Sequence, residues 1–274
     1  MILTALLILV AIFGAPLFTV IAASAMLGYQ REGIDLMAIA IEILGIAGMP
    51  MLSAIPLFTF AGYLLSKSNA PQRLVRVTSA VLGWMPGGLA LVALAACAFF
   101  TAFTGASGVT IIALGAILYP ALKQDGYPDN FNLGLVTTSG SLGLLFAPSL
   151  PLILYGVVAE ISIDDLFKAG VLPGLLMLAL LGGYSLWINR DNRQPLNAFS
   201  WKEVGASLWE AKWEIPLPVV VLGGIYSGFF AVSEAAAVTA LYVLIVEVFI
   251  LREIKFTELP DVMRESMLLV GGIL

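Results

Sequence analysis

The chain has 274 residues, of which 60% are hydrophobic and only 11% are charged, and its formal net charge is −5. Charged residues make up about 25% of an average soluble domain, so this composition excludes a soluble enzyme and indicates an integral membrane protein. With 13 basic against 18 acidic residues the chain is not basic enough to hold nucleic acid, and its single cysteine excludes an internal disulfide framework.

The N-terminal segment predicts membrane-embedded helix. Residues 1–28 carry no charge, and this apolar stretch is too long for a cleaved signal peptide. Gly14, Ala15 and Pro16 leave open whether the segment forms one helix or two short ones, because proline removes a backbone donor.

The following segments differ in character. Residues 31–45 have the pattern of a short amphipathic helix, and residues 49–66 form a second apolar segment. Residues 71–84 place Arg73 and Arg76 among aliphatic side chains, a pattern that suits a helix lying along the membrane interface. We therefore predict that residues 71–84 do not cross the bilayer.

Residues 87–122 form an uncharged run whose centre is rich in glycine and hydroxyl groups. The central residues are Thr104, Gly105, Ala106, Ser107 and Gly108. Two glycines and two hydroxyl side chains interrupt a helix and expose carbonyl groups, so we expect a helical hairpin that enters the bilayer and returns to its own side. Basic residues flank both ends, and the positive-inside rule predicts that the hairpin opens from the cytoplasm.

Residues 130–160 form the next membrane segment, and its centre is interrupted. The interruption covers residues 139–143, with prolines at 148 and 151 soon after. Unwound backbone is tolerated at bilayer depth only where it faces protein or a water-filled site, and a discontinuous helix is the usual pointer to a transporter binding site. We predict that this break and the hairpin tip come together and leave oxygen atoms free to bind a small cation.

The remaining segments alternate between spans and interfacial pieces. We predict a crossing helix over 172–188 that ends in the basic segment 189–193, an interfacial helix over 200–212, spans over 216–230 and 235–251, and an interfacial piece over 258–264. The apolar run that begins at Met267 reaches only roughly 12 Å, against a hydrocarbon core of roughly 30 Å. We therefore expect a chain that is cut short within a second repeat.

The donor chemistry favours sodium. Sodium is a hard cation that prefers hydroxyl and carbonyl oxygens, and the two interruptions supply such groups at Thr104, Gly105, Ser107, Gly140 and Ser149. The absence of histidine disfavours a proton relay but leaves Glu160 and Glu234 open. Other interpretations stay open. The small residues could serve close helix packing, the hydroxyl groups of Ser139 and Ser141 could bond to carbonyl groups of their own helix, and Glu234 could cap the start of a helix.

Several motifs resemble those of the large membrane subunit of tripartite ATP-independent periplasmic (TRAP) transporters. They are residues 104–107, 126–127, 139–156 and 166–174, supported by residues 56–58, 86–90, 222–228 and 234–237. The chain departs from the family at Ala147-Pro148, where a proline pair is usual, and at residues 231–233, where the family has Thr-Pro-Thr.

The resemblance implies an all-α integral membrane protein: an elevator-type secondary transporter with a re-entrant hairpin, a discontinuous helix, and a first repeat followed by the start of an inverted second repeat. It implies sodium binding at Thr104, Gly105, Ser107, Gly140 and Ser149, with Ala106, Ser141 and Pro148 placed at the substrate. The implied partners are a small membrane subunit and an extracytoplasmic solute-binding protein. The implied activity is import of small organic acids across a bacterial or archaeal cytoplasmic membrane, with no organic cofactor.

On this basis we divide the chain into four parts. Residues 1–84 form scaffold and arm helices, 85–160 the transport portion with hairpin 87–122 and broken helix 130–160, 161–212 a crossing helix with its connector, and 213–274 the incomplete second repeat. The alternative function is a non-transporting truncated scaffold that only associates with partner subunits. A channel has little support, because no pore-lining motif repeats.

Overall fold

The computed structural model describes residues 2–85, 87–190 and 199–273, and all regular structure within these ranges is helical. The chain divides into two compact units, Met1–Met49 and Pro50–Leu274. Part of the predicted basic segment 189–193 lies outside the described residues, as does Pro86 of one family motif.

The first unit contains three helices: α1 (Ile2–Ile12), α2 (Leu17–Arg31) and α3 (Met37–Ala47). Gly14 adopts a positive φ of 88° and Pro16 immediately precedes α2, so the N-terminal apolar stretch forms two helices rather than one. The predicted helix over 31–45 begins later, at Met37, whose backbone N–H donates to the Asp35 carboxylate at 2.9 Å.

The second unit begins with a short 3-10 turn and contains eleven α-helices within its described residues. They are α4 (Ala54–Lys67), α5 (Ala70–Leu82), α6 (Gly88–Thr104), α7 (Ser107–Gln124), α8 (Asp129–Leu142), α9 (Leu150–Val158), α10 (Ile163–Ile188), α11 (Trp201–Glu210), α12 (Pro216–Tyr226), α13 (Val232–Leu244) and α14 (Leu259–Ile273). A π-helix (Ile245–Ile250) directly continues α13.

Helix α6 lies at the centre of this unit and packs against α4, α5, α7, α8 and α10. Its buried face is rich in alanine, and Ala90, Ala93 and Cys97 have no exposed surface. Small side chains let neighbouring helix backbones approach closely, which is how membrane helices gain packing contacts where the surrounding lipid is equally apolar.

Within the described part of the chain, three helical segments are long and apolar enough to cross a membrane: Ser107–Gln124, Ile163–Ile188 and Val232–Ile250. The pair Asp129–Leu145 and Leu150–Val158 passes the same test together but is bent by 44° at its break. An apolar, all-helical chain of this kind is an integral membrane protein, as the composition predicts.

The crossing helix predicted over 172–188 is longer than expected, because α10 begins at Ile163 with the Ser162 hydroxyl accepting from the backbone N–H of Asp165. Pro173 lies inside the helix. Next to it, a methyl group on Gly174 would meet the ring of Phe146, so α10 packs closely on the segment that breaks α8 from α9.

Two interfacial predictions need correction. The Arg73 side chain of α5 does not face the surroundings of the protein, because it is only 8% exposed and is enclosed by glutamates. The predicted piece over 258–264 and the apolar run from Met267 are one continuous helix, α14. Arg76 remains at the surface, where it pairs with Glu203 and Glu210 of α11.

Candidate cation site

Helices α6 and α7 form the predicted hairpin, and two residues make its tip. Gly105 has a φ of 62°, in the left-handed region that favours glycine, and Ala106 is extended. The Gly105 N–H donates to the Thr101 carbonyl at 2.8 Å, which closes the end of α6 before the chain reverses into α7.

The hairpin tip is wedged between two other helices. A methyl group on Gly62 of α4 would meet the backbone of Thr104, and one on Gly105 would meet the Leu150 side chain at the start of α9. Neither glycine position has room for a side chain. The tip of the hairpin therefore lies directly against the second interruption, as the sequence predicts.

Three threonine hydroxyl groups line the inside of the hairpin, and all three residues have no exposed surface. Thr101 and Thr110 lie 2.7 Å apart through their hydroxyl oxygens, and Thr104 and Thr110 lie 3.2 Å apart. Thr101 also donates to the carbonyl oxygen of Gly140 at 2.9 Å. A hydroxyl group carries one proton, so Thr110 is the donor to Thr101, and the arms of the hairpin are joined to each other and to α8.

The break in the second helix lies later than predicted. Residues 139–142 are α-helical, a 3-10 turn follows over Gly143–Leu145, and regular helix is absent only between Phe146 and Ser149. Ser139 and Ser141 donate within their own helix, to the Val136 and Thr137 carbonyls.

The glycines of this segment serve close packing rather than unwinding. A methyl group on Gly140 would lie 2.5 Å from the Ile111 side chain and 3.4 Å from the Ser107 carbonyl oxygen. One on Gly143 would meet Thr101. Glycine costs only about 1 kcal/mol in a helix interior, and close packing against the hairpin offsets that cost.

Ser149, at the end of the break, carries a buried polar group that lacks a hydrogen-bond partner among the described residues. It is extended, immediately precedes α9, and has no exposed surface. Its hydroxyl oxygen makes no hydrogen bond to any described residue. Buried hydroxyl groups are nearly always hydrogen-bonded to protein, water or a ligand, so this oxygen is a candidate position for such a partner.

The structure shows two contacts among the segments that carry the predicted cation ligands. Gly105 meets Leu150, the residue after Ser149, and the Ser107 carbonyl faces Gly140. The Gly140 carbonyl already accepts from Thr101. Of the predicted substrate residues, Ala106 is half-buried, Ser141 is exposed and Pro148 is buried.

Sequence reasoning missed Thr101 and Thr110. The available signal was spacing: Thr101 lies one helical turn before Thr104, and Thr110 one turn after Ser107, so each lies on the same face of its helix as a tip residue. Across residues 2–85, 87–190 and 199–273, no group of three or more cysteine or acidic side chains is placed to hold a metal ion.

A comparison with protein families settles the membership of the chain. The family model described as tripartite ATP-independent periplasmic transporter, DctM component, matches residues 1–274. This chain belongs to the DctM family.

Individual relatives from the DctM family are identical to this chain at about one aligned residue in three. The ectoine/5-hydroxyectoine TRAP transporter large permease of Ruegeria pomeroyi is 36% identical over 221 residues, 80% of this chain and 52% of that protein. The C4-dicarboxylate TRAP transporter large permease of Pseudomonas aeruginosa is 37% identical over 230 residues, 84% of this chain and 54% of that protein. The 2,3-diketo-L-gulonate TRAP transporter large permease of Escherichia coli is 32% identical over 252 residues, 91% of this chain and 59% of that protein. The chain therefore spans about half the length of these relatives.

Proposed function

We propose that this DctM chain is the permease subunit of a sodium-coupled TRAP transporter that imports small organic acids of the C4-dicarboxylate, keto-acid or sialic-acid class. Its proposed partners are a small membrane subunit and an extracytoplasmic solute-binding protein, and its proposed location is a bacterial or archaeal cytoplasmic membrane. The observation that carries the proposal is the buried, unpartnered hydroxyl group of Ser149 beside the hairpin tip.

The donors around Ser149 suit sodium. Ser149 and Thr104 supply hydroxyl oxygens, and the turn at Gly105 and Ala106 supplies carbonyl groups outside regular helix. These neutral oxygens are the donors a hard monovalent cation prefers. We assign sodium to Thr104, Gly105, Ser107, Gly140 and Ser149, with the hydroxyl group of Ser149 as the central ligand.

The proposed substrate position follows from two helix N-termini at the same place. Helix α7 begins at Ser107 and α9 begins at Leu150, and neither first turn is capped by a side chain. Free backbone N–H groups and the positive end of the helix dipole favour an anion. An organic carboxylate near Ala106, Ser141 and Pro148 would be attracted by these groups and by a bound cation.

The elevator mechanism is supported by the bond between the hairpin and α8. A domain that carries a substrate across the membrane must move as one body, and the Thr101–Gly140 bond joins the hairpin to the discontinuous helix. The match covers only about half of each relative's length, so the remaining half of those transporters has no counterpart in this chain.

Transport in proteoliposomes tests the proposal. The chain is reconstituted with its small membrane subunit, and the solute-binding protein and a radiolabelled C4-dicarboxylate are added outside. We expect uptake that requires an inward sodium gradient and is absent with a potassium gradient of the same size. Absence of uptake under every gradient, with the subunits still co-purifying, would favour the non-transporting scaffold.

A further inference from the structure

Four charged residues from separate segments meet at a second polar site, built from residues other than those of the candidate cation site. Arg73 comes from α5, Glu214 from the segment before α12, Glu247 from the π-helix after α13, and Glu253 from the turn beyond it. Arg73, Glu214 and Glu247 are 8%, 5% and 0% exposed. Charged residues are almost never fully buried unless paired, so the charge balance of this cluster decides its chemistry.

Two of the three glutamates accept hydrogen bonds from the guanidinium group of Arg73. Its Nε donates to Glu214 Oε1 at 2.6 Å, and its Nη1 and Nη2 donate to the two Glu253 oxygens at 2.5 and 3.3 Å. Glu253 also accepts from the backbone N–H of Asn69 at 2.7 Å. Burial raises the pKa of Glu253, but the hydrogen bonds from Arg73 and Asn69 outweigh burial and lower it, so Glu253 is the ionised partner.

Glu247 is left out of this arrangement. Its nearer oxygen lies 3.8 Å from Arg73 Nη2, which is too long for a hydrogen bond. Neither carboxylate oxygen of Glu247 has a partner at hydrogen-bond distance among the described residues, and the hydroxyl group of nearby Ser68 donates to the Leu65 carbonyl at 3.0 Å instead. The backbone here is unusual too, because a π-helix replaces α-helix over Ile245–Ile250 and the Glu247 carbonyl accepts from the Glu253 N–H at 2.9 Å. π-helical turns occur frequently at functional sites.

Apart from Arg73, the described helices that pack beside α13 bring no free positive charge to Glu247. Helix α4, which packs along α13, carries one charged side chain, Lys67, and Lys67 pairs with Glu265 of α14. Helix α12 also contacts α13 and carries no charge. With all three glutamates ionised, the cluster would hold one positive and three negative charges. A buried carboxylate without a partner costs several kcal/mol or more, so it takes up a proton instead.

We propose that Glu247 is a proton-binding site, occupied in the folded chain at neutral pH and separate from the cation site at the hairpin. The ligand is a proton rather than a metal ion, because the cluster is not arranged to hold a metal among the described residues. A neutral carboxyl group at Glu247 leaves Arg73 paired with Glu214 and Glu253. It also explains how an acidic side chain can stand at the end of a segment apolar enough to cross a membrane.

Infrared spectroscopy of the purified chain in detergent tests this directly, because a protonated carboxyl group has a C=O stretching band that an ionised carboxylate lacks. We expect the band in the unaltered chain at neutral pH, its loss in Glu247→Gln, and its retention in the control Glu265→Gln, which alters an exposed pair. A band that is missing from the unaltered chain, or that persists in Glu247→Gln, would overturn the proposal.

A second variant keeps the test decisive if Glu247→Gln does not fold. Glu253→Gln removes one negative charge from beside Arg73, so Glu247 can ionise in its place without changing the net charge of the cluster. We expect the protonated band to be lost in this variant as well. Persistence of the band in a folded Glu253→Gln chain would contradict the charge balance on which the site depends.

Discussion

The hydroxyl group of Thr101 donates to the carbonyl oxygen of Gly140 at 2.9 Å, and this bond connects the hairpin to the discontinuous helix in a place with no exposed surface. Thr101 receives a second hydrogen bond from Thr110 on the opposite arm. The Thr101 side chain thus connects three helices, α6, α7 and α8. These bonds help to hold the two helix interruptions together.

Replacing Thr101 by valine keeps the shape of the side chain but leaves the Gly140 carbonyl and the Thr110 hydroxyl with one partner fewer. Losing a buried hydrogen-bond partner costs about 1–3 kcal/mol, so we expect a lower melting temperature in detergent. The matched control is Thr137→Val on the exposed face of α8, where the hydroxyl bonds only within its own helix. A control that destabilises as much as Thr101→Val would remove the special role of this bond.

Gly105→Ala should destabilise the chain for two reasons. The left-handed backbone conformation costs an alanine roughly 1 kcal/mol, and the new methyl group would collide with the Leu150 side chain. Gly108→Ala is the control, because Gly108 is helical and its methyl group would meet nothing within 4 Å. We expect Gly108→Ala to stabilise by about 0.5–1 kcal/mol; equal effects of the two variants in thermal unfolding would rule out a tight hairpin tip.

Arg73→Lys tests the buried cluster through its geometry while keeping the charge. A lysine cannot reproduce the fork that contacts Glu214 and Glu253, and each lost hydrogen bond to a charged group costs about 1.5–3 kcal/mol. Arg76→Lys is the matched control, since Arg76 is half exposed and pairs with surface glutamates. We expect Arg76→Lys to lower the free energy of unfolding much less than Arg73→Lys does, because exposed ion pairs contribute little. If Arg73→Lys and Arg76→Lys lowered the free energy of unfolding equally, burial would not strengthen the ion pairs of Arg73.

Ser107→Leu places apolar bulk at a proposed sodium ligand on the half-buried start of α7. We expect sodium-dependent uptake by the reconstituted assembly to be abolished while insertion into the membrane is unaffected. Membrane extraction followed by gel filtration checks insertion, and transport in proteoliposomes checks the function. Unchanged sodium dependence would remove Ser107 from the site.

The hairpin was predictable because its cause is local. A glycine with φ of 62° followed by an extended residue is what the Thr104–Ser107 pattern favours, and a break there follows from backbone chemistry alone. The break after α8 was placed too early, since Ser139 and Gly140 fit into helix when the serine bonds its own turn and the glycine packs on Ile111. That outcome depends on a neighbour about thirty residues away in the chain.

The long-range ion pairs could not be predicted from the sequence for a similar reason. Arg73 and Arg76 lie on one short amphipathic helix, and their spacing predicts one interfacial face for both. Only the fold brings Glu214, Glu247 and Glu253 around Arg73 while Arg76 stays near the surface. Glu234 was easier to interpret, because its carboxylate accepts from the Ala231 N–H at 3.0 Å, as expected of a cap at the start of a helix.

The most direct measurement of the central claim is the sodium-dependent thermal stability of the purified chain, with and without Ser149→Ala. Sodium at about 100 times its dissociation constant should stabilise the unaltered chain by about 2.7 kcal/mol relative to potassium. We predict that Ser149→Ala loses this gain, whereas Ser139→Ala, a buried serine whose hydroxyl already has a partner, keeps it. Equal stability in sodium and potassium for the unaltered chain, or an undiminished sodium effect in Ser149→Ala, would contradict the account.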